Sequence, residues 1–167
     1  MRLPLLLLAA FLSTSAAAQQ HITSKIVGGQ TSSTPAELRP FIGALTIHRA
    51  PFVDEYGRAL DTFSPPDFLP VIVDAGNVAV VRGREYADVR PGHFPLTWSF
   101  DPGVPVDRDR ALALVLYDPD SGTGTSEFVA STPYFTAAPY ENGDPVTMVE
   151  IENQSGTLRA SVFLLWK

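Results

Sequence analysis

Short apolar runs alternate with segments rich in Gly, Pro, Asp and Asn along most of the chain after residue 40. The runs are rich in β-branched and aromatic residues, and no long stretch beyond the N-terminus has a helical period. They predict strands at residues 41–47, 70–73, 78–81, 95–100, 111–117, 146–151 and 158–166. Seven or eight short strands joined by turns are typical of an all-β fold, here an antiparallel β-sandwich of about eight strands.

Two connections carry residues that favour tight turns. The segment Asp74-Ala75-Gly76-Asn77 separates two apolar runs and predicts a β-hairpin. Residues 152–156, with the sequence ENQSG, separate the last two predicted strands. We therefore expect antiparallel neighbours at both places.

The N-terminus has the pattern of a secretory signal. A positive start at Met1-Arg2 is followed by an apolar stretch at residues 3–12 and by Ala16-Ala17-Ala18. The stretch is shorter than the roughly 20 residues that span a bilayer, and no second apolar run of that length follows. These features predict a signal peptide at 1–18, a flexible arm at 19–40 and a domain at 41–167, in a secreted or periplasmic protein with no transmembrane segment.

Composition excludes several classes of function. The chain has 12 basic and 18 acidic residues, and its net charge of −6 argues against nucleic acid as a partner. It has no cysteine, which excludes thiol catalysis, zinc-thiolate sites and iron-sulfur clusters.

Acidic residues gather near the ends of two predicted strands. Asp118, Asp120 and Glu127 follow the run at 111–117, and Asp61 and Asp67 occupy a proline-rich loop. Carboxylate oxygens of this kind are the ligands that calcium prefers. Two acids at positions i and i+2 of an extended loop point the same way, so Asp118 and Asp120 can share one ion. Single aspartates are also common in turns, where they cap their own backbone.

The order of these motifs resembles the C2 domain family. The Asp-x-Asp segment at 118–120, closed by Glu127-Phe128, is similar to one loop of that family. Asp61 and Asp67, separated by five residues, are similar to another, and the FPLTW segment at 94–98 lies between the two loops. The resemblance runs from about Gly43 to Trp166. It implies a sandwich that binds one or two Ca²⁺ ions, with Asp61, Asp67, Asp118, Asp120 and Glu127 as ligands.

A second motif points to a different class of protein. Lys25-Ile26-Val27-Gly28-Gly29 resembles the activation site of trypsin-like proteases, and Asp120-Ser121-Gly122 resembles their serine segment. The histidine motif of that family is missing around His48, and the chain is too short for its two barrels. A triad is defined by geometry rather than by order along the chain, and we do not expect a protease.

The sequence therefore predicts a binding module rather than an enzyme. Calcium would mediate its attachment to a membrane, a glycan or a protein surface. One alternative is a metal-free interaction or adhesion domain in which the acids only cap turns. Another is a hydrolase that uses paired carboxylates, which would need a concave pocket beside two of these acids and displaced pKa values.

Overall fold

A computed structural model describes residues 37–54, 56–61, 64–119 and 125–167. Its eight strands are β1 (Pro40–Arg49), β2 (Leu69–Asp74), β3 (Ala79–Arg82), β4 (Leu96–Pro105), β5 (Leu112–Pro119), β6 (Ser126–Ser131), β7 (Val146–Glu152) and β8 (Arg159–Trp166). Two single turns of 3₁₀-helix, Pro91–His93 and Ala138–Tyr140, lie in the connections. In this part of the chain no helix is long and apolar enough to cross a membrane.

The strands form two four-stranded antiparallel sheets, in the orders β4-β1-β8-β7 and β3-β2-β5-β6. This architecture confirms the predicted all-β sandwich of eight strands. The two predicted hairpins are also present, because β2 pairs with β3 and β7 pairs with β8.

One strand lies where the sequence pattern predicts a loop. The pattern places the acids at 118 and 127 together in a long connection after the fifth apolar run. In the structure β5 extends to Pro119 and β6 begins at Ser126, so Asp118 and Glu127 lie within paired strands. A register shift between Leu116 and Tyr117 interrupts the alternation of the pair, and the first three residues of β6 are exposed. Because it starts with exposed residues, β6 lacks the alternating apolar pattern by which a strand is recognised in a sequence.

The main core lies between the two sheets. It includes the aromatic side chains of Phe68 and Trp98, which are 0% and 4% exposed. The indole nitrogen of Trp98 donates to the carbonyl oxygen of Arg84 at 2.7 Å, so its polar atom is satisfied. Trp166 is also buried and donates to the hydroxyl of Thr147. Both tryptophans are therefore core residues.

The central strands of the second sheet are apolar on both faces. Leu112, Leu114 and Leu116 of β5 point into the core between the sheets, while Ala113 and Val115 belong to a second buried cluster on the opposite face. Alternate residues of a strand point to opposite faces, so burial of both faces requires a continuous apolar run. This explains the uninterrupted hydrophobic stretch in the sequence.

Two glycines allow close approach of side chains. A Cβ atom on Gly43 would lie 2.7 Å from Leu165, and one on Gly83 would lie 2.7 Å from Pro70 and 2.9 Å from Trp98. Such distances are well inside van der Waals contact. Alanine at either position would therefore force its neighbours to move.

The described chain begins just before the sandwich. The backbones of Arg39 and Lys167 exchange hydrogen bonds of 2.8 and 3.1 Å, and β1 starts at Pro40. The predicted signal peptide at 1–18 and residues 19–36 of the predicted arm lie outside the described residues.

The β2–β3 turn is organised by one carboxylate. Asp74 Oδ1 accepts hydrogen bonds from the backbone N–H groups of Gly76 and Val78, both at 2.9 Å. Its Oδ2 accepts from Arg110 at 2.5 Å. The hydrogen bond from Arg110, together with those from the turn backbone, holds the pKa of Asp74 below its usual value. The turn signal in the sequence therefore has a specific physical cause.

We expect the variant Asp74→Asn to be less stable than the parent at neutral pH, because it removes the charge that Arg110 and the turn engage. A carboxyl whose pKa is lowered by folding stabilises the fold at pH values above its pKa in the unfolded chain, which is about 3.9. That contribution is lost as the pH falls through the lower pKa of the folded state. Urea midpoints of parent and variant should therefore converge below about pH 4. The variant Asp109→Asn is the control, and a gap that is independent of pH would contradict this role.

Candidate functional site

Asp118 is a buried carboxylate at the end of β5. It follows the inward-facing leucines of that strand in alternation and is 3% exposed. Its Oδ1 accepts a hydrogen bond from the backbone N–H of Asp67 at 2.9 Å. Two of the predicted ligand residues are therefore neighbours, although 51 positions separate them in the sequence.

A third acid, Asp88, is hydrogen-bonded to Asp67. Asp67 Oδ1 accepts from the backbone N–H of Asp88 at 2.7 Å. Backbone hydrogen bonds between Phe68 and Tyr86, and from Val89 to Pro66, hold the two segments side by side. Hydrogen bonds from backbone N–H groups therefore link Asp67, Asp88 and Asp118 at the end of the sandwich where β2 begins and β5 ends.

Glu127 is the cross-strand partner of Asp118 in the β5–β6 ladder. Side chains of directly paired residues leave the same face of a sheet, with Cβ atoms roughly 5 Å apart, and like charges at such positions destabilise the pair. Glu127 itself is exposed. The arrangement places two carboxylates at neighbouring positions, one of them buried.

Asp61 and Asp120 complete the predicted set. Asp61 Oδ2 accepts from the Ser64 hydroxyl at 3.1 Å, which shapes the loop that leads to Asp67. Asp120 lies outside the described residues. The structure therefore brings Asp67, Asp118 and Glu127 to one end of the fold and ties Asp61 to its own loop.

The ion pairs among the described residues involve carboxylates outside the predicted ligand set. The acids in these pairs are Glu37, Asp54, Asp74, Glu141, Glu150 and Glu152. Within the described ranges, Asp61, Asp67, Asp88 and Glu127 have no Lys or Arg partner. Over the same ranges, no three His, Asp or Glu side chains stand close enough together to hold a metal ion.

Asp88 is an acid of this cluster that the sequence pattern does not single out. It has a backbone φ of +52°, which is uncommon for a residue other than glycine and is best tolerated by Asp and Asn. No strand or turn signal of the sequence connects it to Asp67, because the contact arises from pairing between distant segments. The sequence shows only an aspartate followed by the apolar Val89, and this pair does not indicate a contact with Asp67.

His48 contacts a serine of the sandwich. Its Nε2 lies 2.7 Å from the hydroxyl of Ser161 on β8. Ser121, the serine of the protease-like motif, lies outside the described residues. We therefore assign no catalytic role to His48.

Comparison of the sequence with protein-family models and with curated proteins gives no match.

Proposed function

We propose that the protein is a calcium-binding module with a C2-like sandwich. Asp61, Asp67, Asp118, Asp120 and Glu127 are its ligand residues, and Asp88 is a further candidate from the same end of the fold. One or two Ca²⁺ ions would join the loops to a membrane, a glycan or a protein surface outside the cell.

The observation that carries the proposal is the pairing of Asp118 with Glu127. Two acids face each other across a ladder, one of them 3% exposed, and the backbone of a third acid, Asp67, is bonded to the buried one. Carboxylate oxygens gathered at one end of a fold are the ligands that a hard divalent cation such as Ca²⁺ prefers.

A metal-free interaction domain is the second candidate. The observation that favours it is that one oxygen of Asp118 and one of Asp67 already accept backbone N–H groups. Carboxylates used in this way stabilise loop geometry without an ion. The two candidates differ in whether the stability of the protein responds to calcium.

A thermal melt of the purified protein in EDTA and in millimolar CaCl₂ tests the proposal. A ligand at 100 times its Kd stabilises the folded state by roughly 2.7 kcal/mol. In a domain of this size we expect the Tm to rise by several degrees. MgCl₂ at the same concentration is the control, since magnesium requires a smaller and more regular site. An unchanged Tm at saturating calcium would favour the metal-free domain instead.

A further inference from the structure

A surface cleft of about 500 Å³ lies between β3 and β4, which are edge strands of the two different sheets. Arg82 and Arg84, at the end of β3 and just beyond it, form one wall, and residues 97–100 of β4 form the other. Thr97 and Ser99 bring hydroxyl groups to that second wall. The cleft therefore combines guanidinium and hydroxyl groups, both of which donate hydrogen bonds.

The two arginines of this cleft have no acidic partner in the part of the chain that the structure describes. No described Asp or Glu lines the cleft, and neither arginine forms an ion pair with a described carboxylate. Another cleft, beside residues 105–110, also contains arginines, but there Glu37, Asp107 and Asp109 line the same space. A protein with an excess of acids thus leaves two cations without a counter-charge at one place.

Gly83 lets the chain between the two arginines lie against the core. It is buried, and a Cβ atom at this position would lie 2.7 Å from Pro70 and 2.9 Å from Trp98. Its N–H group donates to the carbonyl oxygen of Pro70 at 2.9 Å. Arg82 and Arg84, on either side of this glycine, are exposed. The close approach of the backbone to Trp98 therefore fixes both arginines at the rim of the cleft.

Arg84 is held in position through both its backbone and its side chain. Its carbonyl oxygen accepts from the indole nitrogen of Trp98 at 2.7 Å. Its guanidinium lies over the ring of Tyr86, 5.2 Å from the ring centroid, and the Tyr86 hydroxyl donates to the carbonyl oxygen of Thr97 at 3.1 Å. A guanidinium that is placed in advance loses less conformational entropy when it binds a ligand.

We propose that this cleft binds the phosphate or sulfate group of a small soluble ester. Guanidinium groups bind such oxyanions through pairs of N–H donors, which is why arginine is common in sites for them. A phosphate group offers three strong acceptor oxygens, so Arg82, Arg84 and the hydroxyls of Thr97 and Ser99 can share one ligand group. A carboxylate, with only two oxygens, would use fewer of these donors.

Features of the cleft favour a small soluble ligand over a membrane surface or a long polyanion. None of the exposed large apolar side chains in the described chain lines the cleft, so none of them would enter a bilayer there. The net charge of −6 repels anionic surfaces and polymers. The volume of about 500 Å³ lies within the range of roughly 300–1,000 Å³ that is usual for small-molecule sites.

Isothermal titration calorimetry of the purified protein with glucose 6-phosphate and glucose 6-sulfate, in buffer that contains EDTA, tests this assignment. We expect saturable binding of an ester and none of glucose at the same concentration. Arg82→Gln and Arg84→Gln should each weaken binding about tenfold or more, since each removes charge-assisted hydrogen bonds. Arg84→Lys should also weaken it, because lysine keeps the charge but not the paired donors. Arg90→Gln, at another exposed arginine without a described ion pair, is the matched control and should bind like the parent.

Three results would overturn this assignment. The first is that neither ester binds saturably at millimolar concentration. The second is that Arg90→Gln weakens binding as much as Arg84→Gln, which would mean that the anion responds only to overall charge. The third is that vesicles containing phosphatidylserine bind in an Arg84-dependent way while the soluble esters do not, which would make a lipid headgroup the ligand. Because every titration contains EDTA, the result does not depend on whether the protein binds calcium.

Discussion

Replacement of Phe68 by alanine should lower the free energy of unfolding by about 3–5 kcal/mol, the usual cost of removing a buried phenylalanine ring. Phe68 is fully buried, and its ring centroid lies 5.7 Å from that of Phe52 and 6.3 Å from that of Phe94. The two partners lie in separate loops, so they cannot collapse into the cavity without moving backbone. Urea unfolding followed by circular dichroism measures the loss.

Phe128→Ala is the matched control, because it removes the same side chain from an exposed position of β6. We expect it to cost less than about 1 kcal/mol. If Phe68→Ala lowers the free energy of unfolding no more than this control, the packing of Phe68 against Phe52 and Phe94 does not stabilise the fold.

The parts of the fold that the sequence predicted are those with a local cause. β2 and β5 are continuous apolar runs because both faces are buried, and their short length and flanking turn residues distinguish them from helices. The hairpin at 74–77 was predictable because Asp74 caps two N–H groups within four residues of itself. In both cases the information lies within a few positions.

The parts that the sequence could not predict depend on contacts between distant segments. β6 begins with Ser126 and Glu127 and owes its strand conformation to pairing with β5, not to an apolar pattern. Asp88 reaches Asp67 because Phe68 and Tyr86 form a short bridge. The sequence places five acids near strand ends, but it could not show that Asp118 would be buried opposite Glu127.

The double variant Asp118→Asn with Asp120→Asn should lose calcium-dependent stabilisation and bind Ca²⁺ more than tenfold more weakly than the parent. Each substitution removes one negative charge from the set that would hold the ion. The amide oxygen introduced at position 118 can still accept from Asp67 N–H, so the end of the sandwich keeps its hydrogen bond. Isothermal titration calorimetry and melts in EDTA and calcium measure both effects.

Asp107→Asn with Asp109→Asn is the matched control, since these two exposed loop acids have the same spacing along the chain. It should keep the full calcium response. In EDTA the Asp118 and Asp120 variant should remain folded, because the amide oxygen at position 118 keeps the hydrogen bond from Asp67 N–H. If this variant binds calcium as tightly as the parent, residues other than Asp118 and Asp120 bind the ion. If the variant is less stable than the parent in EDTA and neither protein responds to calcium, Asp118 stabilises the loop conformation and binds no ion.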